Sequence, residues 1–374
     1  MTKEPGNVEE MLARLVGFDS VVARPNGRIV EFVRDWLSAL GIAAHVLPGP
    51  EGDRSNLFAS IGPVDKPGFV LSGHLDVVPA TEPGWHADPF VLREDAGRLI
   101  GRGACDMKGF VAAALSMLPE LAAMDLPVPI HLALSYDEEA GCRGVPHLLA
   151  ALPDLCARPQ GAIIGEPTEL MPVLAHKGKA AVRVTASGTA GHSSRPDLGD
   201  NAIHTLVPVL EAAVGQAAAL TKGAQDARFA PPWSSLQIGT ISGGQALNII
   251  PDAAVAEIEA RAIAGADPMT LLAPVRAAAE AAGAACDIIS AYPALALATD
   301  HPLAERLARL SGQCPLDAVS FGTEAGLFQA AGIPSIVCGP GNIARAHKPE
   351  EYLHRDELQA ACALIRRLGK SLSE

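Results

Sequence analysis

FVLSGHLDVVP (69–79), GWHADPF (84–90) and GRGACDMKG (101–109) decide how this chain is read. Val70 and Leu71 form a short apolar run that stops at Ser72-Gly73, which puts His74 at or just past a strand end with its ring free. Asp76 is two residues on and on the same side of an extended chain, where it can reach that ring, as carboxylates that orient metal-binding histidines do. Asp106 follows a glycine-rich turn and precedes the apolar helical run 107–118, so it falls near a helix start. Alone it would read as an N-cap. Taken together, three ligand-type side chains leave apolar runs where an α/β sheet delivers its functional groups, and that is a metal-site layout.

Working outward, IHLALSYDEEAG (130–141) alternates like a strand and ends in Asp137, Glu138 and Glu139. Three adjacent acids repel one another unless a cation sits among them. AIIGEP (162–167) is a buried-type run that delivers Glu166, and CGPGNIARAHKPEEY (338–352) carries His347 on a Gly/Pro-rich loop. Two histidines with three or four carboxylates make a mixed N/O donor set suited to a hydrolytic Zn²⁺ pair. Asp106 is placed to bridge ions roughly 3.5–4 Å apart, which leaves one acid free as a base.

The 374 residues, 49% hydrophobic and 19% charged, suffice for two domains with ample core. A net charge of −13 argues against nucleic acid or an anionic membrane as partner. MTKEPGNVEE holds no apolar signal core and no 18-residue apolar run follows, so the expectation is a cytoplasmic protein. Seven cysteines without a CxxC pair suggest neither a disulfide framework nor a thiolate zinc site. Helical periodicity at 7–18 and 26–40 and short apolar runs at 56–61, 68–72, 130–135, 162–165 and 333–338 give an α/β fold with a mixed, mostly parallel sheet. From about 180 to 291 the pattern becomes β-α-β-β-α-β, with one helix at 200–220 and a second at 267–282, a ferredoxin-like order. The expected division is therefore a catalytic domain of residues 1–179 and 292–374, interrupted by a lid of residues 180–291. Lys108 and Lys177, beside glycines, read as solvated charges, and the absence of GxSxG removes a serine hydrolase.

SGHLDVVP, GRGACDMKG, SYDEEAG, GEPT, GHSSRP and AHKP, in this order along nearly the whole chain, resemble the dinuclear zinc aminoacylase and carboxypeptidase family. The resemblance implies a zinc-exopeptidase-like catalytic domain with an inserted ferredoxin-like lid that also serves dimerisation. It implies His74 and Glu139 or Glu166 as terminal ligands, Asp106 as bridge, His347 as far ligand, Glu138 as general acid/base and Asp76 as the residue orienting His74. Two Zn²⁺ per subunit, with Co²⁺ as a substitute, would be the cofactors. His192 in GHSS is similar to a histidine that crosses between subunits of a homodimer, and Asn248 and Arg261 match positions that hold a substrate carboxylate. Relatives read Asp-Ile-Arg where this chain has Glu259-Ala260-Arg261. The implied substrate is a small N-acyl amino acid. GEPTELMPVLAHKGKA (165–180), FGTEAGLFQAAG (321–332) and GPGNIARAHKPEEY (339–352) look most like the acetylornithine deacetylase branch. A desuccinylase, a general deacylase and a non-catalytic metal-binding protein are the alternatives.

Overall fold

The structure, a computed structural model, describes residues 7–373; the leader reading rests in part on residues 1–6, which lie outside them. Two compact units divide the chain. One comprises the residues up to Leu174, Leu297–Asp317 and the residues from Thr323 on; the other comprises Ala175–Ala296 and Ala318–Gly322.

In the first unit, strands Ala44–Pro48, Ser55–Ile61, Ile130–Ser135, Phe69–His74, Gly161–Pro167 and Ser335–Gly339 lie side by side in that order. The last four are parallel neighbours and the first two join antiparallel, giving the mixed, mostly parallel sheet expected. Phe69–His74, Ile130–Ser135 and Gly161–Pro167 are buried at every position, as strands covered on both faces are. Helix Lys108–Ala122 is buried from Lys108 through Leu118, which matches its apolar character all round, and it packs against helices Val8–Val16 and Arg355–Ser373. Gly41 takes φ +73° just past helix Gly27–Ala39, a left-handed stop that glycine enters without strain.

The second unit runs strand Gly178–Ser187, helix Ala202–Leu220, strands Ser235–Gly243 and Ala253–Ala262, a helical pair, and strand Ala285–Tyr292. Its antiparallel sheet has the order Ser235–Gly243, Ala253–Ala262, Gly178–Ser187, Ala285–Tyr292. The single helix expected at 267–282 is instead Pro268–Leu271 followed by Ala273–Ala281. Pro274 has no N–H for the carbonyl four residues back, and the break falls there. Asp267 caps the first piece, accepting from the Met269 N–H at 3.0 Å.

Two sequence readings need correction. Lys108 and Lys177 are not solvated: both are buried, with Lys108 Nζ donating to the Phe18 carbonyl at 2.9 Å and Lys177 Nζ donating to the carbonyls of Pro231 and Trp233. Helix Ala202–Leu220 is, by length and composition, long and apolar enough to cross a membrane, with a mean hydropathy of 1.4. Short polar interruptions (Thr205, Glu211, Gln216) hid that in the residue run, and its Leu206, Val209 and Ala213 pack into the core of the second unit.

Candidate metal centre

The carboxyl ends of the parallel strands bring the sequence candidates together. His74 is the last residue of its strand and lies opposite Ser135 in the neighbouring strand, so the turn Tyr136-Asp137-Glu138-Glu139 leaves the sheet at the same level. On the other side, Ser72 pairs with Ile164, and Glu166 emerges two residues later. Gly165 is required there: a Cβ would lie 2.0 Å from the Phe110 ring of the buried helix.

Asp106 sits at the centre. Its Oδ1 lies 3.1 Å from His74 Nε2 and its Oδ2 lies 3.4 Å from His347 Nε2, so one carboxylate turns an oxygen to each histidine. Glu166 Oε1 lies 3.8 Å from His74 Nε2, and Glu139 Oε1 lies 2.9 Å from His347 Nε2. Donor atoms of His74, Asp106 and Glu139 fall within 4.8 Å of one another, as do those of His74, Glu138 and Glu166. Asp76 works behind them. Its two oxygens accept from the backbone N–H groups of Glu138 (3.1 Å) and Glu139 (3.1 Å), and its backbone carbonyl lies 2.9 Å from His74 Nδ1, where the ring's other nitrogen points into the cluster. His347 has φ +58°, an unfavourable conformation for a non-glycine residue that aims its ring at the acids.

The electrostatics fit a cation. Burial, then the neighbouring carboxylates Glu139, Asp76 and Glu324, push Glu138 up to about 8 despite His74, and burial with Asp106 and Glu138 lifts Glu166 well above the carboxylate range. Asp76 rises to about 6, chiefly through burial. Asp106 goes the other way: burial is outweighed by its hydrogen bonds to His347 and His74. Hydrogen bonds to Asp106 and Glu139 carry His347 up to about 10, and His74 is raised in spite of burial by Asp106, Asp76, Glu166 and Glu138. Five acids thus share two histidines. A donor set of carboxylates and imidazoles carrying excess negative charge suits divalent ions of the Zn²⁺ type.

Asp137 departs from the expected acidic trio. With φ +50° its side chain turns away to Arg54 and accepts from the Ala23 N–H at 2.7 Å, so its counter-charge is a guanidinium. The N-cap role open to Asp106 falls to Met107 instead. Sequence reading also missed Glu351. Buried, it accepts from the N–H groups of Cys105 and Asp106 at 3.0 Å each and pairs with Arg102 at 2.8 Å, tying the loop of His347 to Asp106. The adjacent acids in AHKPEEY were its only signal. Cys142, whose thiol donates to Glu138 Oε1 at 3.3 Å, had none.

Three candidates belong to the second unit. His192 is exposed and accepts from the Ser194 hydroxyl at 2.7 Å; Asn248 is exposed, its carbonyl accepting from the Ser193 N–H at 3.1 Å. Arg261 donates to Glu259 at 2.6 Å, and Glu259 also pairs with Lys179 at 3.0 Å, so the glutamate that replaces the family aspartate is neutralised by two cations.

The model of peptidase family M20/M25/M40 matches residues 70–371, a span that includes His74, Asp106, Glu138, Glu139, Glu166 and His347. The chain belongs to that family. Acetylornithine deacetylase of Myxococcus xanthus is 34% identical over 368 residues, 95% of this chain and 95% of the relative. Acetylornithine deacetylase of Proteus mirabilis is 32% identical over 343 residues, 90% of this chain and 87% of that protein. Among solved structures, an M20 family metallo-carboxypeptidase of Sulfolobus solfataricus superimposes with a TM-score of 0.80 at 17% identity, covering 98% of this chain and 99% of that one. A dinuclear metal binding peptidase of the M20 family from Bacillus subtilis gives 0.61 at 18% identity over 97% and 96%. The M20 fold and a hydrolase of that family are therefore established for this chain, with a candidate metal-binding cluster at the strand ends.

Proposed function

We propose that this protein is a cytoplasmic, homodimeric amidohydrolase that removes the acetyl group from N2-acetyl-L-ornithine, giving L-ornithine and acetate. The observation that carries the reading is the split of the Asp106 oxygens between His74 and His347, each histidine flanked by its own glutamate. The acetylornithine deacetylases matched over nine-tenths of the chain support the choice of substrate. In this reading His74, Glu166, His347, Glu139 and Asp106 would hold a pair of Zn²⁺ ions, with Co²⁺ as a substitute, Asp106 being placed between the two histidines. The ions, when bound, polarise the acyl carbonyl and make a water acidic enough to attack near neutral pH.

The chain's own groups move the proton. Glu138, whose backbone N–H is held by Asp76 beside the cluster, takes a proton from the attacking water and returns it to the departing amine. Asp76 holds the backbone of Glu138 and Glu139 in place and orients His74. Arg261 and Asn248 receive the substrate carboxylate, for which a guanidinium fork is suited. His192 supplies an oxyanion contact across the dimer. Residues 180–291 act as lid and dimerisation domain on a catalytic domain of residues 1–179 and 292–374.

Metal-reconstituted protein assayed on acetylornithine, acetylmethionine and succinyl-diaminopimelate tests the substrate. Acetylornithine is expected to have the highest kcat/KM, by about tenfold or more, as a site that pairs polar substrate groups discriminates strongly. Equal or lower kcat/KM for acetylornithine rejects it.

A further inference from the structure

We propose that Glu324 is a positioning residue for the metal centre, its carboxylate bracketing the two strands that deliver His74 and Glu138. The inference rests on the metal-site reading above. Glu324 is 1% exposed and lies in the stretch FGTEAG, and so far it has figured only as a charge near Glu138. Besides burial, the groups that act on its charge are Ser72, Ser135 and His74, with no Lys or Arg among them. Its Oε1 accepts from Ser72 Oγ at 2.5 Å and its Oε2 from Ser135 Oγ at 2.7 Å. Ser72 stands two residues before His74, and Ser135 three before Glu138; across the parallel pair Ser72 faces Ala133 and His74 faces Ser135. One buried carboxylate therefore spans both strands within a single pleat of the site. Thr323 Oγ1 accepts from the Ala325 N–H at 3.0 Å, which fixes the start of helix Ala325–Ala330 from which Glu324 projects.

Burying a carboxylate with no Lys or Arg bonded to it is costly, and an apolar side chain would fill the space without that cost. The strands do not need Glu324 to stay paired, because the backbone ladder already joins them from Phe69–Ile130 to His74–Ser135. What two charge-assisted hydrogen bonds add is restraint at the strand ends, where a small change in direction is carried to the ligand side chains.

The test compares wild type, Glu324→Ala and Glu324→Gln, stripped of metal and titrated with Zn²⁺ and Co²⁺. Glu324→Ala is expected to weaken Zn²⁺ binding and lower kcat by about tenfold to a hundredfold, the range for partners that orient metal ligands, with KM within about twofold. Its Co²⁺ absorption bands should shift. A merely structural loss would lower the melting temperature without moving the bands of the folded fraction. A Gln amide accepts from one serine and donates to the other, so Glu324→Gln should recover affinity and kcat to within about threefold of wild type. Wild-type affinity and kcat in Glu324→Ala, or a glutamine variant no better than alanine, would overturn the proposal. If Glu324→Ala does not fold, Ser72→Ala and Ser135→Ala remove one arm each and should each weaken Zn²⁺ binding about threefold or more. Wild-type binding in both would overturn it too. Wild type that takes up neither metal would reject the metal-site reading itself.

Discussion

Asp106 is the residue on which the site turns, because each of its oxygens faces a different histidine while Glu351 holds its backbone N–H. Without metal, His347 is lifted to about 10 and His74 is raised too, so both rings hold a proton more tightly than a free imidazole. Metal ligation needs neutral rings, so loading must expel those protons, and affinity must weaken as the pH falls. Titrating metal-free protein with Zn²⁺ at pH 7 in buffers of different ionisation enthalpy should register a net release of protons; none would contradict the charge balance described here. His74, Asp76 and Asp106 were legible in the sequence because each leaves an apolar run at short spacing. Glu351 and Glu324 were not, since their partners lie 245 and 252 residues away. Asp137 was misread for a related reason: the spacing of three acids says nothing of a left-handed turn that rotates the first of them to Arg54.

At the scale of elements, strand periodicity carried most of the fold. The buried runs from Phe69–His74 to Ser335–Gly339 lie within a few residues of where the pattern put them, because burial on both faces demands apolar side chains throughout. The helix break at Leu272 was present in Pro274 and was outvoted by an N-cap and an alanine-rich stretch. The strand Ile130–Ser135 buries His131, held by Ser60 at 2.8 Å, and burial pushes its pKa down to about 4 from the ordinary 6.5. The unfolded chain therefore binds a proton that the folded protein refuses between these values. Its stabilising contribution is complete above pH 6.5 and is lost as the pH falls toward 4. At 1.36 kcal/mol per unit the loss approaches about 3 kcal/mol. In urea unfolding, the stability gap between wild type and His131→Asn should narrow by about 2.5 kcal/mol from pH 7 to pH 4.5. A constant gap would show that His131 titrates normally.

For the molecule as a whole, the ferredoxin-like order of the second unit followed from alternating strands and one long helix, and the mixed sheet of the first from its apolar runs. The proposed homodimer rests on the GHSS motif alone. If His192 serves the neighbouring subunit, Glu138→Ala and His192→Ala proteins should each be inactive. Mixed after dissociation and reassociation, they should recover up to about a quarter of wild-type activity, because half of the dimers then hold one complete site. Absence of recovery in verified mixed dimers would place His192 outside the reaction. The central claim is that His74, Asp106, Glu139, Glu166 and His347 together hold a pair of ions. Crystals soaked in Zn²⁺ and measured at the zinc absorption edge test it most directly. Two anomalous peaks about 3.5 Å apart, each within coordinating distance of one Asp106 oxygen, are expected; an empty cluster, or peaks only at other side chains, would contradict it.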